Sequence, residues 1–166
     1  MLFEYFVRKL LKRAGYLLNS KFENSAEIPT GAYPYKRKLE PDIVINYKGK
    51  GFVFDVKYKS FDFVYGVSRE DLFQLHTYVG QYGNEMDIKA CGFIFPISIE
   101  RWKKNTIHAE TSIIKDKIKI LENEIEFYIL FLLVPDNNNI DYHNLFEANI
   151  KTFNDQINLV TTKFDV

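Results

Sequence analysis

The chain has 166 residues, about one domain's worth, with 46% hydrophobic, 27% charged and 16% aromatic residues, which excludes disorder and low-complexity readings. One cysteine, Cys91, excludes an internal disulfide framework, a cysteine zinc cage and a cysteine-ligated iron–sulfur cluster. Formal net charge is zero but uneven: residues 1–60 hold twelve Lys and Arg against six Asp and Glu, and residues 61–166 hold ten against sixteen, a polarity compatible with a polyanion meeting one face. The longest apolar run, Phe127 to Pro135, is too short to span a membrane. The N-terminus lacks a signal-peptide pattern, so a cytoplasmic protein without membrane partners is expected.

Residues 2–14 place Leu2, Phe3, Phe6, Val7, Leu10 and Leu11 at helical spacing, with Arg8, Lys9, Lys12 and Arg13 mostly on the other side, and Gly15 as a stop. Residues 19–40 read as a loop with a short strand near Tyr33–Lys38. A hairpin follows: Asp42–Tyr47 alternates, Lys48–Gly51 is turn chemistry, and Phe52–Lys59 alternates again. Residues 69–83 read as a helix with Leu72, Leu75, Val79 and Tyr82 on one side, closed by Gly83 and Asn84. Residues 89–97 read as a buried strand. Within 106–134, Ile118 and Ile120, a Glu-Asn-Glu turn, and Ile125, Phe127, Ile129, Phe131 and Leu133 suggest a further hairpin. Residues 136–139 are a loop and 142–159 a terminal helix. With no repeat and no linker, residues 1–166 read as a single α/β domain around a mixed sheet flanked by helices.

Side chains two apart share a strand face, so Val53, Asp55, Lys57 and Lys59 point one way, while Phe52, Phe54, Val56 and Tyr58 point toward a core. A turn at Lys48–Gly51 puts Asp42 and Asp55 at the same end of the hairpin, so that two carboxylates and an ammonium converge. Carboxylate oxygens suit Mg2+ (or Mn2+), which polarises a phosphoryl oxygen, while a lysine adds positive charge where the scissile phosphate gathers negative charge. These are the parts needed to hydrolyse a phosphodiester. A solvated charge pair is the plainer reading of Asp55 and Lys57 taken alone.

Other features carry less chemistry. His76, His108 and His143 lack metal-ligand spacing, and no P-loop motif is present. Lys48-Gly-Lys-Gly51 is better explained as a hairpin turn than as a nucleotide loop. Trp102 with Arg101, Lys103 and Lys104 forms a basic–aromatic cluster of the kind that can touch nucleic acid, Arg101 and Lys103 being the candidate contacts. Lys59 shares the Asp55 face and is a further candidate phosphate contact. Asp71, Gln74 and Tyr78 form a polar stripe on the 69–83 helix.

The segments "LEPDIVI", "FVFDVKYK" and "DLFQLHTYV" together resemble the PD-(D/E)xK nuclease superfamily, and more narrowly the nuclease domain of the McrC family of modification-dependent restriction systems. The resemblance is specific over residues 39–79, looser over 2–14 and 89–97, and slight beyond residue 100. It implies a restriction-endonuclease-like αβββαβ core. It also implies a Mg2+-dependent DNA endonuclease (an endodeoxyribonuclease of phage defence) that serves as the cleavage part of a McrBC-like system. On matching positions, Asp42 and Asp55 would ligate the metal together with the Val56 carbonyl oxygen. Lys57 would be the catalytic lysine, and Gln74 would join the catalytic set, with Tyr78 near the DNA. Glu4 would be the opening-helix acid that completes such sites, although a first-turn Glu also suits a helix N-terminus. Implied partners are DNA, an AAA+ GTPase, and a second copy of the chain for double-strand cleavage. Family members usually carry a separate N-terminal region that engages the GTPase; with the opening helix at residue 2, that region is expected either to be missing or to have been removed from this chain. Two alternatives are a catalytically silent nuclease fold that binds nucleic acid or a partner, and a nuclease acting on DNA junctions or RNA.

Overall fold

The computed structural model describes residues 2–19, 26–28, 37–106, 111–120 and 122–165. In chain order the elements are α1 (Leu2–Arg13), β1 (Leu17–Leu18), β2 (Ala26–Ile28), β3 (Arg37–Leu39), β4 (Ile43–Tyr47), β5 (Lys50–Val56), α2 (Arg69–Tyr82), β6 (Asp87–Ser98), α3 (Ile99–Asn105), β7 (Ile113–Ile120), β8 (Asn123–Val134) and α4 (Tyr142–Thr162). The main sheet runs β1-β4-β5-β6-β8-β7, and β2 pairs with β3 in a separate ribbon. The β5–β6 and β6–β8 pairs are parallel, while β1–β4, β4–β5 and β7–β8 are antiparallel. This is the expected mixed α/β sheet. Of the strand expected near Tyr33–Lys38, residues 33–36 lie outside the described residues, and β3 begins at Arg37.

Local chemistry accounts for the hairpin that carries the acids. Tyr47 pairs with Lys50, leaving Lys48 and Gly49 as a two-residue turn. Both have positive φ, 51° and 77°, the mirror-image turn that matches strand twist. The turn is therefore tighter than Lys48–Gly51, and Lys50 and Gly51 belong to β5. In α2, Ser68 caps the helix: its Oγ accepts from the Asp71 N–H at 3.2 Å and donates to Asp71 Oδ2 at 2.7 Å.

Both sheet faces are covered. Phe52, Phe54, Ile43 and Ile45 pack with Val7, Leu10 and Leu11 of α1 and Phe153, Ile157 and Val160 of α4. On the other face Val53, Cys91, Phe93 and Phe95 pack with Leu75, Tyr78 and Val79 of α2 and Trp102 of α3. Burying this much apolar surface at roughly 25 cal/mol per Å2 drives the assembly. The alternation along β5 is as expected, and the Asp55 face is roofed by α2.

Two expectations are corrected. Tyr58 does not point into the core: β5 ends at Val56, and Tyr58 is 76% exposed, with its ring 5.8 Å from that of Phe3. The basic–aromatic cluster is not a stacking platform, because Trp102 is buried with its ring 4.9 Å from Phe131. No helix among the described residues is long and apolar enough to cross a membrane.

Candidate active site

Asp42 lies immediately before β4, and Ile43 is paired with Phe54, so the next step of the register sets Asp42 beside Asp55. The Val56 N–H donates to Asp42 Oδ2 at 2.8 Å, tying the first acid to the strand that carries the second. From α1, the Arg8 guanidinium donates to the carbonyl oxygens of Asp42 at 2.5 Å and Asn19 at 3.2 Å, which fixes the approach to β4. The acids therefore sit at the carboxyl end of β5, where open α/β sheets commonly bind ligands.

Asp55 is 4% exposed. Burial pushes its carboxyl up to about 6, the nearby Asp42 charge adds to the rise, and Lys57 opposes it. Asp55 Oδ2 lies 2.6 Å from Lys57 Nζ, an ion pair, and no further hydrogen bond reaches that oxygen among the described residues. A buried carboxylate oxygen with one ion-pair partner keeps acceptor capacity that a second cation or a donor could use.

Lys57 follows β5, its N–H donating to the Ile94 carbonyl at 2.9 Å, and its side chain is 15% exposed. Three oxygens surround its Nζ: Asp55 Oδ2, Asp71 Oδ1 at 2.8 Å and Gln74 Oε1 at 3.1 Å. Burial works against its charge, but the two carboxylates prevail and its pKa is raised, so the amine is held as ammonium.

Gln74 stands on α2 as expected, bridging the lysine to Tyr78: its Nε2 donates to Tyr78 Oη at 2.6 Å. Tyr78 is 5% exposed, which does not fit the exposed DNA contact expected of it. Burial raises its pKa and the charges of Asp55 and Asp42 add to the rise, so its hydroxyl belongs to the interior of the site. Glu4 is half-buried on α1. Among the described residues no group of three or more His, Cys, Asp or Glu side chains is placed to hold a metal.

Asp71 is the site residue that sequence reasoning missed. It is buried at the start of α2 and pairs with both Lys57 and Lys59. Burial works against its charge, but the two lysines and Ser68 hold its carboxyl down to about 2. The polar stripe put it on the right helix face, but nothing local named its partners, 14 and 12 residues earlier.

Of the expected nucleic-acid contacts, Lys59 is half-exposed and paired with Asp71, Arg101 donates to the Phe61 carbonyl at 2.7 Å, and Lys103 is exposed. Tyr58, Lys59, Pro96, Ser98 and Arg101 help line a cleft of about 410 Å3 that begins one residue beyond Lys57.

The donor set fits a hard divalent cation that keeps much of its water shell: two neighbouring carboxylates, one of them buried, and a backbone carbonyl in the same strand. It does not fit a histidine- or thiolate-bound metal.

Residues 1–96, more than half of the chain, match the family described as McrBC 5-methylcytosine restriction system component. No curated protein matches the chain.

Proposed function

This chain belongs to the McrBC 5-methylcytosine restriction system component family and so is a component of a restriction system, and we propose that it is the cleavage module, a Mg2+-dependent endodeoxyribonuclease. The observation that carries this reading is the convergence of a buried carboxylate, Asp55, with a second acid, Asp42, beside it in the register and the Lys57 ammonium 2.6 Å from its Oδ2. Asp42, Asp55 and the Val56 carbonyl would hold Mg2+ or Mn2+. When bound, such an ion supplies Lewis acidity to a phosphoryl oxygen and acidifies water.

The chain's own groups supply the rest. Lys57 keeps its proton and presents positive charge to a phosphate whose oxygens gain negative charge in the transition state. Gln74, anchored by Tyr78, limits where that ammonium can go. Lys59 and Arg101 line the cleft along which a sugar–phosphate backbone leaving the site would pass, Lys103 is exposed on the neighbouring α3, and α2 roofs the acids against bulk water. DNA is the substrate, a GTP-hydrolysing AAA+ partner brings the module to 5-methylcytosine sites, and a second copy supplies the second cut. Cleavage takes place in the cytoplasm, where DNA is reached.

Plasmid nicking in Mg2+ tests the reading, with and without the partner GTPase. Asp55→Asn and Lys57→Met should each lower the rate by about a hundredfold or more, in line with loss of a charged transition-state contact. Equal nicking by the parent and Asp55→Asn would overturn the assigned site. Calorimetric titration with Mn2+ separates a silent module from a nuclease, since only the latter has reason to bind the ion and to lose it on Asp55→Asn.

A further inference from the structure

Lys57 has more partners than its catalytic task requires. One of the three oxygens around Nζ, Asp55 Oδ2, is also the atom best suited to a cation. A lysine and a divalent ion cannot both hold that oxygen closely, because the two positive charges repel at such range. The other two oxygens come from α2: Asp71 Oδ1 at 2.8 Å and Gln74 Oε1 at 3.1 Å. Asp71 is itself firmly placed, since Ser68 Oγ and Lys59 both engage its Oδ2 and leave Oδ1 turned to Lys57.

We propose that Asp71 is a positioning residue for metal loading: it is the counter-ion that retains Lys57 when Asp55 gives up Oδ2 to a divalent cation. This rests on the reading of the site as a metal-dependent nuclease. Without Asp71, the ammonium has Asp55 as its remaining carboxylate partner, so it competes with the ion for that oxygen and adds uncompensated positive charge beside it. Asp71 thus makes room for the metal without touching it. It also links the helix to the sheet, so that loading the site and orienting Lys57 are one event. Lys59 secures the arrangement from the far oxygen of Asp71 and needs no contact with the metal.

A double-mutant cycle read by Mn2+ calorimetry tests the coupling. Asp71→Asn should weaken Mn2+ binding about tenfold in the parent, and by less than about twofold in Lys57→Met, because contacting groups are non-additive. Ser68→Ala removes a cap contact of Asp71 but not its charge, so it should lower the melting temperature while leaving Mn2+ affinity within about twofold. Equal weakening by Asp71→Asn in both backgrounds would overturn the proposal, as would an unchanged affinity in folded Asp71→Asn. If Asp71→Asn does not fold, Asp71→Glu, which keeps the charge, should retain tighter Mn2+ binding than Asp71→Gln; equal affinities would overturn it. A parent that binds Mn2+ and loses it on Asp55→Asn upholds the nuclease reading whatever Asp71 does. A parent that binds no Mn2+ removes both.

Discussion

Burying Asp55 costs stability once its carboxyl ionises, and the sign of that cost can be worked out. Its carboxyl is raised from 3.8 to about 6, so the folded state binds a proton that the unfolded state has released between those values. The associated stability is present below pH 3.8 and lost as pH rises through about 6. One pKa unit is about 1.4 kcal/mol, so the ionised group costs the metal-free protein on the order of 3 kcal/mol at neutral pH. Asp55→Asn removes that charge and should stabilise the metal-free chain against urea at pH 8, with the gain vanishing near pH 3.5. Adding Mg2+ at pH 8 should stabilise the parent but not the variant, since a ligand that binds the native state shifts unfolding by mass action. A variant less stable than the parent at pH 8 would show that Asp55 is satisfied in some other way. Asp71 runs the opposite way: lowered to about 2, its contribution is present above pH 3.8 and lost as pH falls through 2.

At the level of elements, the site depends on how closely the central strands approach. Gly92 in β6 faces the β8 backbone, and a Cβ there would lie 1.7 Å from the Tyr128 carbonyl oxygen. Neither strand can yield without breaking its ladder, so Gly92→Ala should cost about 2 kcal/mol or more, in the range for strained or overpacked cores. Gly80 in α2 is the control: a Cβ there meets nothing within 4 Å, so Gly80→Ala should be neutral or stabilise by up to about 1 kcal/mol through helix propensity. Urea midpoints decide both, and a tolerated Gly92→Ala would mean that β6 and β8 can part. What was legible in the sequence follows the same division. Turn residues and alternation are local, so the β4–β5 hairpin and the convergence of Asp42, Asp55 and Lys57 could be read directly. Tyr58 was misjudged because alternation holds only while the strand lasts, and β5 stops at Val56. Asp71 and the burial of Trp102 could not be read, because both depend on how α2 and α3 dock on the sheet.

At the level of the whole molecule, the charge balance sets how the chain meets DNA. The basic excess of residues 1–60 is cancelled by the acidic excess of 61–166, so the chain has no net charge to draw it to a polyanion. Several cations near the site are already committed: Lys57 to Asp55 and Asp71, Lys59 to Asp71, and Arg101 to the Phe61 carbonyl. Few phosphates can then be neutralised by the chain alone, which suits a module delivered to DNA by a partner. Each phosphate neutralised on duplex DNA contributes a slope of about −0.9 in log Kobs against log[salt]. The isolated chain should therefore bind duplex DNA weakly at about 0.15 M salt, with a slope of magnitude about 3 or less. Lys103 is exposed on α3, so Lys103→Ala should reduce the slope by about one unit and weaken binding evenly across sequences. Fluorescence anisotropy at several salt concentrations measures both quantities. A steep slope, or a slope indifferent to Lys103→Ala, would place the DNA path away from α3 and the Tyr58–Arg101 cleft.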